Sequence, residues 1–393
     1  MITRVVDRAL LGVSAPRPHR PSPEAIALHA RVPVVDLLVG TPLFRRTMLE
    51  PASTGHVDLP RLRSVGTNLV GLSLATRFPD PRGTLSAAQF LGLGVPARAL
   101  RSDLAIVSFL VRRIDAWAAA SPNAFVVVRS GADLDRVLAP NGPVGAFIGV
   151  QGGQVLGTDE ALLPAAVARL RALGIRMFGL AHVMDSPLAG SGSGRRAGGL
   201  TPLGRIAVAE LERASIVVDL AHGSSGTIRD TVACASRPPV ISHTGFLERA
   251  ARASRWRRYS AATRNVRMAD ARLVAGAGGI VGVVTVVTLL GGSTVRDLVD
   301  TIRFAVDELG PAHVAIGSDM DGALRSVVDA SGLPLITDGL LARGVPEPDI
   351  VAVLGGNALR ILRPALDGAS ADSGRLAEGH RPALQDLTAG GTC

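Results

Sequence analysis

Three histidines share one local setting: each closes a short apolar run that reads as a strand and is followed at once by a turn. The runs are Ile175-Arg-Met-Phe-Gly-Leu-Ala-His182, Ile216-Val-Val-Asp-Leu-Ala-His222 and Val240-Ile-Ser-His243. A fourth run, His313-Val-Ala-Ile-Gly-Ser-Asp319, delivers a carboxylate, and Ala146 to Gln151 delivers an amide. Imidazole and carboxylate are the usual ligands of zinc and related metals. Polar side chains presented one per strand end converge on a single rim in a (β/α)₈ barrel. The pattern therefore points to a metal-dependent hydrolase of that architecture. A lone histidine on an apolar run is by default a core imidazole. Three in matching positions argue against that default, whereas His19, His29, His56, His313 and His380 lack the setting and are expected to be structural or exposed.

The elements that would position these groups alternate along the chain. Strand-like runs are expected at Pro33–Leu38, Asn68–Ala75, Ala146–Gln151, Ile175–His182, Ile216–His222, Pro239–His243, Ile280–Val287 and His313–Asp319, with a short edge piece at Phe125–Val128. Helical patterns are expected between them at Leu162–Leu173, Leu203–Ala214, Gly226–Ala235, Arg267–Ala277 and Val295–Leu309. Such alternation argues for parallel βα units, and roughly eight strands favour a closed barrel over an open sheet. Residues 1–30 are expected to form an irregular N-terminal arm, 31–364 the barrel and 365–393 a flexible C-terminal tail, after a helix at Asp349–Leu362.

Composition agrees with a buried, aliphatic barrel. The 393 residues are 47% hydrophobic but only 3% aromatic, with 45 glycines and 25 prolines for short connections. Strands covered on both faces draw on such residues. The net charge of +9 comes entirely from arginine, since the chain has no lysine among its 42 basic residues. A bias of that kind reads as codon composition with a solvated surface, and no basic motif for nucleic acid accompanies it. Cys234 and Cys393 cannot build a disulfide framework or a cysteine zinc site, and Cys234 is expected to be a buried helix thiol. No secretory signal precedes the barrel, so a cytoplasmic location is expected. Leu273 to Val295 is free of charge and long enough to span a bilayer. Its six glycines and its place in the βα pattern mark it instead as a buried strand with its loop.

Several segments, in order, resemble the membrane (renal) dipeptidase family, peptidase family M19, over about Val34 to Leu362. They include Gly55-His-Val-Asp-Leu-Pro-Arg-Leu62, Ile148-Gly-Val-Gln-Gly-Gly153, Val218-Asp-Leu-Ala-His222 and Ile241-Ser-His243. Gly198-Gly-Leu-Thr-Pro-Leu-Gly204, Arg264-Asn-Val266, Gly317-Ser-Asp-Met-Asp-Gly322 and Gly355-Gly-Asn-Ala-Leu-Arg360 complete the set. The resemblance implies a two-zinc centre, with a His-x-Asp pair after the first strand, a shared glutamate, two histidines and an aspartate. His222 and His243 match the two histidines, and Asp319 the aspartate that also accepts the proton. His182 matches the group that polarises the scissile carbonyl, and Arg264 the one that pairs with the substrate carboxylate. The substrate implied is a small dipeptide-like molecule, and homodimers are common in that family.

This chain departs from the family at the metal ligands. The His-x-Asp pair is replaced by Leu38 and Gly40, and the shared glutamate by Gln151. A neutral amide does not offset repulsion between two cations, so the expectation is zero or one zinc ion, held by His222 and His243 with Gln151 as a weak third ligand. Asp36, two residues before Leu38, is expected to hold hydrogen bonds rather than metal. Restoring histidine at 38, aspartate at 40 and glutamate at 151 should raise zinc content if the scaffold still matches the family. Three functions stay open: a one-metal dipeptidase-like hydrolase, a metal-free binding protein or pseudoenzyme, and a metal-free enzyme acting on an amino-acid-derived metabolite. The seven arginines between Arg249 and Arg267 read as a solvated lid, or as an electropositive mouth that favours anionic substrates.

Overall fold

In the computed structural model, which describes residues 11–79, 85–196, 198–250 and 261–376, eight parallel strands close on themselves. They are β1 (Val35–Val39), β2 (Leu69–Ala75), β3 (Val144–Gln151), β4 (Ile175–Gly179), β5 (Val217–Asp219), β6 (Val240–Thr244), β7 (Ile280–Val283) and β8 (Val314–Ile316). Each pairs with the next, and Asp36 of β1 opposite Ile316 of β8 closes the ring. The short strand Phe125–Val127 lies beside the first half of β3, whose second half pairs with β4. Strand residues are buried along their whole length, as aliphatic side chains in a barrel wall covered by helices should be. The expected (β/α)₈ barrel is therefore the observed fold.

Helices follow the strands and close the outer layer. Pro202–Arg213, Ser225–Cys234 and Val295–Leu309 begin at Thr201, Ser224 and Thr294, whose hydroxyls accept from first-turn N–H groups. Among the described residues no helix is long and apolar enough to cross a membrane. The charge-free stretch from Leu273 instead contributes β7 and the helical turn Val287–Leu290, so the strand is four residues shorter than expected.

Two other expectations need correction. The chain does not loosen at Pro364: a helix runs from Asn357 to Leu376, straight through that proline. Ala358, Leu362 and Leu366 join Val35, Leu69, Phe147 and Ala315 in one buried cluster, so this helix plugs the barrel floor. That burial offsets the roughly 3 kcal/mol a helix-interior proline costs. Cys234 is exposed rather than buried. The inner face of its helix is carried by Thr227, Ile228 and Thr231, whereas Ala233 and Cys234 face solvent. At the other end of the chain, the helix Pro23–His29 ties the arm down, with His29 Nε2 2.7 Å from Thr337 Oγ1.

Candidate active site

The residues singled out by type and spacing do meet at one rim, the carboxyl end of the barrel. Gln151 is the last residue of β3 and His243 lies within β6. His182, His222 and Asp319 each stand three residues beyond the ends of β4, β5 and β8 rather than in those strands. His222 and Asp319 adopt left-handed backbone, with φ of 65° and 57°. That conformation cannot continue a parallel ladder, and it turns both side chains at points where a strand would carry them past.

The three imidazoles form a ladder across the rim. Ring centroids of His182 and His222 are 4.6 Å apart, and those of His222 and His243 are 5.1 Å apart, both edge to face. Phe78 packs its ring edge-on to His182 at 5.6 Å. His243 Nε2 points at His222 Nε2 from 3.2 Å. Burial, and then the charge of Arg264, lowers the pKa of all three, to about 4 for His182 and well below the usual imidazole range for the other two. At neutral pH they are therefore uncharged, the form that can ligate a metal.

The charged members are Asp319 and Arg264. Burial pushes the Asp319 carboxyl up to about 7, against the pull of Arg264, while Asp36 adds to the rise. Arg264 donates from Nη2 to the His243 carbonyl at 2.9 Å, which fixes the guanidinium beside the imidazole ladder. Beyond His222 and Arg264 opens a cavity of about 440 Å³, lined also by Ser224, Arg229, Asn265 and Arg267. Arg252, Arg255, Arg257, Arg258, Trp256 and Tyr259 of the arginine-rich segment lie outside the described residues.

Gln151 is 6% exposed; its Nε2 donates to Ser73 Oγ at 2.7 Å, and its Oε1 is buried without a hydrogen-bond partner. An orphaned acceptor at the site floor is an unmet demand for a donor or a cation. Among the described residues no three His, Cys, Asp or Glu side chains are grouped to hold a metal ion. Leu38 is buried, and Gly40 fits with no room to spare: a Cβ there would meet the Asp321 carbonyl oxygen at 2.5 Å. Asp36 accepts from the backbone N–H of Leu38 and of Ser318, at 3.2 and 2.8 Å, and so splices β1 to β8 as a structural group.

Side chains that the sequence pattern left without a role also reach the site. Asp219, in the Asp-Leu-Ala-His run, and Ser242, next to His243, form a hydrogen-bonded pair beneath the imidazoles. Arg46 pairs with Asp321, which also accepts from Thr41 Oγ1 and the His56 N–H, both at 2.7 Å. Both aspartates stood inside recognisable motifs, but their partners are far away in sequence.

Comparison with known proteins places these features in a lineage. The family model for membrane dipeptidases (Peptidase family M19) matches residues 23–373. Dipeptidase 3 of Rattus norvegicus is 29% identical over 341 residues, 80% of this chain. The match spans only 64% of the rat protein's length. Dipeptidase verJ of Clonostachys rogersoniana is 27% identical over 361 residues, 86% of each protein. Two crystal structures share the fold. The probable dipeptidase PvdM from Pseudomonas aeruginosa has a TM-score of 0.71 at 21% identity, covering 87% of this chain and 98% of that one. A metallopeptidase from Rhodobacter sphaeroides, liganded with a phosphinate mimic of the dipeptide L-Ala-D-Ala, has a TM-score of 0.67 at 23% identity, covering 84% and 99%.

Proposed function

The chain belongs to the membrane dipeptidase family, peptidase family M19, and we propose that it is a divergent hydrolase that cleaves an amide bond in a small dipeptide-like molecule bearing a free carboxylate, with at most one zinc ion. The observation that carries this reading is the 3.2 Å between His222 Nε2 and His243 Nε2. Two nitrogens bound to one tetrahedral zinc at the usual bond length stand about 3.3–3.4 Å apart. That spacing would let the pair share one ion, with Gln151 Oε1, a buried acceptor, as a weak third ligand. A second ion has no matching donors, because Leu38 and Gly40 offer none.

When bound, zinc would supply Lewis acidity and a more acidic water. The chain's own groups would do the rest. Asp319 takes the proton from the attacking water and passes it to the leaving amine as the C–N bond breaks, His182 as a neutral imidazole donates to the developing oxyanion, and Arg264 grips the substrate carboxylate. Arg264→Ala is expected to raise KM for a dipeptide by about tenfold to a hundredfold, the range of a lost charge-assisted hydrogen bond. The same change should leave a C-terminally amidated analogue little affected. Equal kinetics on the free acid before and after the substitution would remove Arg264 from the site.

One observation favours the metal-free alternative, a binding protein or an enzyme acting on an amino-acid-derived metabolite: the charge of Arg264 bears on all three imidazoles and opposes a cation there. The pH profile separates the two. Asp319 must be ionised to act as a base, so kcat/KM rises with pH through its pKa, which burial sets at about 7 without a metal. A cation nearby stabilises the carboxylate and moves that limb to lower pH. An acidic limb that stays near 7 when zinc is supplied would count against the one-metal reading.

A further inference from the structure

A hydroxyl has one proton to give, and Ser242 stands between two groups that could take it. Its Oγ is 2.6 Å from Asp219 Oδ2 and 2.8 Å from His243 Nδ1. Asp219 already acts as an acceptor on its other oxygen, taking the N–H groups of Ala221 and Ser242 at 2.9 Å each. Burial pushes this carboxyl up, but two backbone donors on one oxygen and the nearby charge of Arg264 favour the carboxylate. An ionised Asp219 can only accept, so the serine proton goes to it. Ser242 Oγ can then only accept from the imidazole, which places a proton on His243 Nδ1 and leaves Nε2 with its lone pair.

We propose that Asp219 and Ser242 are positioning residues that lock His243 in its Nδ1–H tautomer, with the Nε2 lone pair aimed at His222. A second copy of the clasp shows what is special here. Asp36 likewise bridges two backbone N–H groups, those of Leu38 and Ser318, and Ser318 likewise precedes a rim residue, Asp319. There the serine Oγ accepts from the Met320 N–H at 3.1 Å and lies 3.4 Å from the Leu38 carbonyl. Both copies splice neighbouring strands, but the β5–β6 copy also reaches an imidazole.

A consequence follows for His222. Facing a lone pair at 3.2 Å, its Nε2 must carry a proton in the metal-free protein, and its Nδ1 is then the buried atom without a partner. Zinc can be shared by the pair only if His222 moves that proton to Nδ1. One histidine is therefore preset and the other switches; the preset half holds without any metal, and the switching half rests on the one-ion reading above.

Nitrogen NMR of the full chain labelled at histidine, recorded at pH 8 where imidazoles are neutral, reads the tautomers directly. His243 should show Nδ1–H in the native protein. Ser242→Ala should release it toward Nε2–H, Ser242→Thr should keep Nδ1–H, and Asp219→Asn, whose amide can donate to Ser242, should reverse the relay. The His29 and His56 signals report whether each variant is folded. Nε2–H at His243 in the native protein, or a tautomer unmoved in folded Ser242→Ala and Asp219→Asn, overturns the relay. On adding zinc chloride alone, His243 should stay as it is while His222 changes from Nε2–H to Nδ1–H. Zinc that leaves His222 unchanged removes the shared-ion reading but not the relay. Zinc affinity should fall about tenfold to a hundredfold in Ser242→Ala, as for lost outer partners of ligating histidines, and stay near native in Ser242→Thr.

Discussion

His222→Ala should leave the purified protein without bound zinc and lower dipeptide turnover by about a thousandfold or more, the loss expected when several kcal/mol of Lewis-acid assistance disappear. Native protein should carry no more than one equivalent, because Leu38, Gly40 and Gln151 supply no negative charge to offset a second dication. The backbone at position 222 complicates an alanine test, since its φ of 65° disfavours residues other than glycine, asparagine or aspartate. His222→Gly suits that conformation and should lose the metal while folding at least as well as the alanine variant. Elemental analysis and a dipeptide assay on the three proteins decide the matter. Two zinc ions per native chain would defeat the one-ion argument. One ion with turnover supports the hydrolase, whereas no ion and no turnover favours the binding protein.

Gly40→Asp should destabilise the fold by about 3 kcal/mol, at the upper end of what overpacking costs in a close-packed interior. The added Cβ would press on the Asp321 carbonyl oxygen at 2.5 Å, with the Asp321 carbonyl carbon at 3.0 Å and the Gly322 nitrogen at 3.3 Å. Nothing nearby yields easily. The Gly40 N–H is held by the Met320 carbonyl at 2.8 Å. Asp321 is pinned by Arg46, by Thr41 and by both backbone and ring of His56. Bringing back histidine at 38, aspartate at 40 and glutamate at 151 together is therefore expected not to restore a second zinc, whereas a scaffold that still matched the family at Gly40 would gain zinc from the same triple change. Gln151→Glu alone should tighten the single site, since it adds a charged ligand without touching this contact. Denaturation midpoints and zinc content of the single and triple variants test the point. A triple variant that binds two ions with native stability would show that the rim can open at Gly40.

The separate expectations for the site had different physical sources, and this decided which were legible. Local pattern carried the barrel: apolar runs of strand length alternating with helical patterns leave little choice of architecture, and polar residues after those runs must reach one rim. His182, His222, His243, Gln151 and Asp319 could therefore be named from the sequence. That Leu38 and Gly40 supply no ligand was legible only through the family resemblance, which marks those two positions; a side chain without a donor atom cannot bind in any fold. Strand ends were not legible in this way, since a left-handed turn at His222 or Asp319 is set by what surrounds it and not by the run that precedes it.

Tertiary structure alone decided how those groups are held. Asp219 and Ser242 are 23 residues apart and Asp36 and Ser318 are 282 apart, so neither clasp leaves a trace in local periodicity. The closure at Gly40 depends on a carbonyl from the far end of the chain, and the course of the last helix through Pro364 depends on an apolar barrel floor built from strands spread over the whole sequence. Residue type fixes which chemistry is available; which proton sits on which nitrogen, and whether a lost ligand has room to return, is fixed by contacts that exist only once β1 has met β8 and β5 has met β6.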